Sequence, residues 1–143
     1  MSWGPIVERR RDAGAPGMSD REAAAKTARA FLAALERGDR DTATAMAESG
    51  FAAESPGGNL TELGPLLDRL ESRYVRLIKG VETTDVAETA DGFAVYFFGR
   101  MEGEFTGDDG GFEGVRFMDR LTVRDDKIAA QHMWNDFGHA KPK

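Results

Sequence analysis

The chain contains no cysteine. That absence excludes a disulfide frame, thiolate chemistry and a cysteine-based zinc site. Histidine is nearly as scarce: His132 and His139 are the only two, and the second lies in a polar tail, which makes a poor metal site. The segment TGDDGG carries too few ligands at the right spacing for a calcium loop. No apolar run approaches the ~20 residues that a membrane-spanning helix needs. The N-terminus lacks the apolar core of a signal peptide. Basic residues are outnumbered, 19 against 25 acidic ones, and the net charge of −6 argues against non-specific nucleic-acid binding. The expectations are therefore no metal, no tightly bound cofactor, no nucleic-acid partner, no membrane partner and, by default, a cytoplasmic location.

What is present suits one soluble domain. With 143 residues, 41% hydrophobic and 31% charged, the chain can bury a substantial core. Residues 1–18 read as a flexible arm: Arg9, Arg10 and Arg11 precede DAGAPG. Trp3, Ile6 and Val7 could dock on a neighbouring surface, and Met18 is an alternative start to Met1. Residues 19–138 form the domain, and 139–143 a C-terminal tail.

Ser19-Asp20-Arg21-Glu22 is a capping box that opens a helix. Ala24, Ala28, Phe31, Leu32 and Leu35 recur at helical spacing, and Gly38 ends the run. Asp39 caps a short second helix through Met46 and Glu48. FAAESPGGN, from Phe51 to Asn59, reads as a loop. Gly64-Pro65 starts a third helix, striped by Leu66, Leu67, Leu70 and Tyr74. Val75 to Thr89 turns β-like, and three strands follow, Phe93–Phe105, Phe112–Arg124 and Lys127–Phe137. TGDDGG and Asp125-Asp126 supply the two hairpin turns. Helices first and an antiparallel meander after them make an α+β domain, with the helices packed on a curved sheet around a cavity.

Loop centres predict the register. They place Tyr96, Phe98, Arg100 and Glu102 on one side with Val115, Phe117, Asp119, Leu121 and Val123, and with Ala130, His132, Trp134 and Asp136. In that register Asp119 lies between Phe98 and His132, and the helices cover this side. The opposite side would carry Val95, Phe97, Met101, Met118 and Met133, with Arg116 and Arg120. A face so apolar predicts a homodimer.

FLAALERGDRDTA, the ESPGG loop, the Gly-initiated third helix and FMDRLTVRDDKIAAQHMWND together resemble the SnoaL-like branch of the nuclear-transport-factor-2-like (NTF2-like) superfamily. The likeness covers about Ser19 to Gly138. It implies a cone-shaped cavity, dimerisation through the sheet and one of several outcomes: polyketide cyclase, steroid isomerase, epoxide hydrolase, dehydratase or inactive binding domain. Arg100-x-Glu102 looks like the Arg-x-Asp pair of the epoxide-hydrolase members. The Asp that those enzymes and the cyclases carry five residues after the Ile of the last turn is Met133 here, and a thioether cannot accept a proton.

His132 is accordingly the expected general base, with Asp119 to hold its tautomer and Arg100 to stabilise an enolate or oxyanion. A structural His–Asp pair and a structural salt bridge are the alternatives. Tyr96 and Trp134 would line the pocket, with Glu102 beside them and Glu54 at its mouth; core packing and an ordinary exposed carboxylate are the alternatives for Trp134 and Glu54. The expected function is a small cofactor-independent enzyme acting by proton transfer on a small hydrophobic carbonyl-bearing ligand: isomerase, cyclase or dehydratase. The rivals are a non-catalytic ligand-binding or dimerisation module and an epoxide hydrolase-like enzyme.

Overall fold

The computed structural model describes residues 19–138, so the expected arm and the tail with His139 lie outside the described residues. Helix α1 (Asp20–Glu36) begins at Ser19, whose hydroxyl accepts from the Glu22 N–H while the Glu22 carboxylate accepts from the Ser19 N–H. These bonds satisfy two of the free donors at the helix start. Ala24, Ala28, Phe31, Leu32 and Ala34 form its buried stripe. Asp39 caps α2 (Arg40–Met46) through the Thr42 N–H. Helix α3 (Leu63–Arg73) buries Leu63, Leu66 and Leu67.

The strands are β1 (Ala47–Ser55), β2 (Gly58–Leu60), β3 (Tyr74–Thr89), β4 (Gly92–Phe105), β5 (Gly111–Arg124) and β6 (Lys127–Asn135). They make a single six-stranded sheet in the order β2-β1-β6-β5-β4-β3. All neighbours are antiparallel except β1 and β6. The domain is α+β, helices on one face of a curved sheet.

Two expectations need correction. FAAESPGGN is not a loop: most of it lies in β1 and β2, which form a small hairpin across Pro56-Gly57. Ala, Ser and Gly have little intrinsic preference for strand. Pairing with β6, which is distant in sequence, supplies the structure here. The second correction is the register. In the β5–β6 hairpin Val123 pairs with Ile128, but Thr122 pairs with Ala130, so Ala129 is an extra residue in β6. In the β4–β5 hairpin Met101 pairs with Val115 and Gly103 with Phe112, so β5 gains a residue at Glu113-Gly114, where Gly114 has φ +69°. Each bulge shifts the strand beyond it by one position, and a one-residue shift exchanges the two faces.

The helices therefore cover Val95, Phe97 and Met101 of β4, together with Phe117, Asp119 and Leu121 of β5 and Gln131 and Met133 of β6. Tyr96, Phe98, Arg100 and Glu102 stand on the outer face with Arg116, Met118 and Arg120, and with His132 and Trp134. Asp119 faces Phe97 and Met133 across the strands, and His132 faces Arg120. The predicted His132–Asp119 pair is not formed. Of the apolar residues assigned to a dimer face, Val95, Phe97, Met101 and Met133 point inward, and only Met118 points outward.

Gly99 marks a close approach of β4 to β3, as Gly103 does against the Arg76 carbonyl. A Cβ placed on Gly99 would lie 1.9 Å from the Gly80 carbonyl oxygen of β3. Only a residue without a side chain lets the two backbones approach so closely. Gly99→Ala should force β3 away from β4 and cost about 2–3 kcal/mol. Urea denaturation measures this, and a wild-type midpoint would show that β3 can shift freely.

Candidate functional site

Between α1, α3 and the inner face of the sheet lie two adjoining hollows, of ≈ 210 Å³ and ≈ 380 Å³. Leu66, Leu70, Tyr74, Leu77, Lys79 and Met133 line both. The larger hollow is further walled by Met101, Phe117 and Phe137, and its mouth runs past the Ser55-Pro56-Gly57 turn. Apolar walls with a few polar groups set into them are the usual form of a small-ligand site.

The polar groups centre on Lys79. Its Nζ donates to Asp119 Oδ2 at 2.6 Å, and the two side chains are only 10% and 1% exposed. The local sequence explains the reach. Lys79 sits on β3 opposite Met101, two strands from Asp119. Gly99, the cross-strand partner of Phe117, contributes no side chain between them. The ammonium lies 5.4 Å from the centre of the Phe117 ring, within cation–π range. Removing one member of such a pair leaves a buried charge without its counter-ion, at a cost of about 3–5 kcal/mol, whereas replacing both by apolar groups is often neutral.

Three further groups complete the cluster. Gln131 Nε2 donates to Asp119 Oδ2 at 3.4 Å. Asp119 Oδ1 and Gln131 Oε1 are buried without a hydrogen-bond partner. Glu36, at the end of α1, borders the smaller hollow and accepts from the Lys79 backbone N–H at 2.7 Å. Partial burial pushes the Glu36 carboxyl above the ordinary glutamate range, against the pull of that N–H and of the Lys79 and Arg29 charges. The nearby Asp119 pushes the same way as burial.

Of the residues nominated from sequence, Asp119 and Trp134 border the larger hollow, and the other five lie outside it. His132 is on the outer face, with Nε2 3.4 Å from Glu54 Oε1 and its ring stacked on Trp134 at 6.1 Å. Arg100 is held by Glu82 at 2.9 Å. Glu102 lies 3.4 Å from Arg76. Tyr96 accepts from Arg120. Glu54 is turned away from the mouth, which its neighbour Ser55 borders. The expected Arg100-x-Glu102 constellation is thus not at the cavity, because β4 turns these residues outward. Met133, at the position where the resemblance places an acid, does line the cavity.

Lys79, Glu36 and Gln131 were missed. A usable signal existed for Lys79: in Leu77-Ile78-Lys79-Gly80-Val81 it shares a strand face with Leu77 and Val81. A lone cation on an apolar face is a candidate for burial with a partner. Gln131, between Ala129 and Met133, is the same kind of signal.

No family model matches the sequence, and no curated protein matches it significantly. Solved structures do match. An NTF2-like protein from Burkholderia xenovorans LB400 is 23% identical, over 87% of this chain and 99% of that one, with a TM-score of 0.66. A candidate polyketide cyclase from Xanthomonas campestris pv. campestris is 21% identical, over 81% and 92%, with a TM-score of 0.65. An epoxide hydrolase from M. tuberculosis, of the LEH-like type, is 20% identical, over 82% and 86%, with a TM-score of 0.64. At these identities the likeness is one of fold, and the fold is that of NTF2-like proteins.

Raised in the folded state, the Glu36 pKa exceeds its unfolded value, so the folded chain holds that proton more tightly. This contribution is present below the unfolded glutamate pKa and is lost as pH rises through the raised value. Stability should therefore fall across that interval, and Glu36→Gln should remove that part of the fall. Thermal unfolding at a series of pH values reads it; superimposable profiles for the two proteins would contradict it.

Proposed function

We propose that this NTF2-like domain binds an apolar, carbonyl-bearing small molecule in the inner cavity and catalyses proton transfer on it, as an isomerase, cyclase or dehydratase. One observation carries the reading: a buried ammonium–carboxylate pair, Lys79 and Asp119, is set into an otherwise apolar wall. An ammonium has three donors, and Asp119 takes one of them. The remaining donors suit a ligand carbonyl whose oxygen gains negative charge as a neighbouring proton leaves. Asp119 Oδ1, free of partners, suits the departing proton. Glu36, readier than an ordinary glutamate to take up a proton, suits its exchange with solvent on the other side of Lys79. The roles once expected of His132 and Arg100 pass in this reading to Asp119 and Lys79.

A second reading, a non-catalytic ligand-binding module, is favoured by Met133, a group that takes no proton, at the cavity wall. A phenol that mimics an enolate separates the two. β-Naphthol changes its absorption and fluorescence on ionisation. The wild type should bind it and shift its ionisation toward the naphtholate, and the Lys79→Met/Asp119→Leu variant should bind it un-ionised. Binding with no spectral shift in the wild type would leave the binding-module reading, and no binding at all would sink both.

The expected second copy of the chain fits the outer face better than the residues first assigned to it. Phe98, Met118 and Trp134 form one row across β4, β5 and β6, with Phe98 40% and Trp134 46% exposed. Charges of both signs flank the row, Arg100 and Arg120 with Glu82 and Glu54, as a self-complementary contact requires. We propose a homodimer through this face. Light scattering at micromolar concentration should give twice the chain mass, and Phe98→Glu should halve it; a monomer in the unaltered protein would refute it.

A further inference from the structure

The charge of the cavity runs against that of the chain. The protein carries a net charge of −6, yet the charged residues around the larger hollow are Arg69, Arg73, Lys79 and Asp119, three cations against one anion. Lys79 and Asp119 neutralise each other. Arg69 and Arg73 do not have that compensation: among the described residues, neither forms a salt bridge with a carboxylate. They lie four residues apart on α3, which puts them on the same helix face, one turn from each other.

Both guanidinium groups are held in place by neutral partners. Arg69 is half-buried and donates to Ser55 Oγ at 3.1 Å, and that hydroxyl in turn donates to the Gly58 carbonyl across the β1–β2 turn. Arg73 donates to Tyr74 Oη at 3.2 Å, and its guanidinium carbon lies 5.3–5.6 Å from the centres of the Phe105, Phe137 and Tyr74 rings. Hydroxyl and ring contacts fix a guanidinium in position without cancelling its charge, and each group retains unused donors. Some exposed arginines elsewhere are paired with acids: Arg40 with Asp68 and Glu71, Arg76 with Glu102, and Arg100 with Glu82. Arg21 and Arg29 are not, but they line neither hollow; Arg69 and Arg73 do line the larger one, side by side.

From this arrangement we propose that the ligand is an amphipathic anion. Its oxyanion, a carboxylate or a phosphate, is held by Arg69 and Arg73 at the mouth, and its apolar body runs along Leu70, Leu77 and Met133 toward Lys79. Arginine presents a planar fork of donors that matches either oxyanion, and such charge-assisted bonds are about twice as strong as neutral ones. The inference rests on the cavity being a ligand site, as proposed above, and narrows the ligand from any apolar carbonyl compound to an acidic one.

Three naphthalene probes of similar shape test it by calorimetry at low salt: β-methoxynaphthalene, which cannot ionise, β-naphthoate and β-naphthyl phosphate. At least one of the two anions should bind roughly tenfold more tightly than β-methoxynaphthalene. The anion that gains identifies the oxyanion. The gain should vanish in Arg69→Gln/Arg73→Gln while β-methoxynaphthalene still binds, which also shows that the variant is folded. The gain should persist in Lys79→Met/Asp119→Leu. Equal binding of all three probes by the wild type would overturn the anion inference and leave the ligand cavity standing. So would a gain that survives loss of both arginines, or one that disappears with Lys79. Failure of every probe to bind would overturn the cavity reading itself.

Discussion

The close approach of β3 to β4 at Gly80 and Gly99 underlies the rest of the interior. Beside it, a lysine from the edge strand reaches across β4 to an aspartate of β5. The missing side chain at Gly99 leaves the path from Lys79 to Asp119 open, and the ion pair then fills part of a space that leucines would otherwise close. A buried ion pair is a weak source of stability, because desolvating two charges offsets most of their attraction.

Much of the architecture was legible in the sequence, and the reason is local. The Ser19–Glu22 capping box and the Gly38-Asp39 helix junction are set by interactions within a few residues, and Pro65 falls in the first turn of α3, which begins at Leu63. The hairpin at Asp125-Asp126 is another such case, with both residues at positive φ. Features of this range survive in a one-dimensional reading. β1 did not survive it, since its pairing partner lies some eighty residues away and its own residues have little strand preference.

The site was less legible, and for an identifiable reason. Strand faces are a matter of parity, and parity is destroyed by a single inserted residue. Ala129 is inconspicuous in Ile128-Ala129-Ala130, yet it moves His132 from the cavity to the outer face and brings Gln131 and Met133 inward. Gly114 does the same between β5 and β4. Asp119 stands in the interior beside a lysine forty residues earlier instead of a histidine thirteen later. The acid was found and its partner was not, because the partner depends on the long-range curl of the sheet.

The strand order carries a consequence for how the sheet is completed. Among the described strands β6 comes last in sequence but lies inside the sheet, between β5 and β1. Until it is in place, β1 with its short partner β2 cannot join the β3–β4–β5 meander, and each of the two pieces presents an unpaired strand edge. Free edges of this kind recruit other chains. The sheet is therefore complete only when Lys127–Asn135 is paired on both sides, and the Gln131 and Met133 part of the cavity wall forms with it.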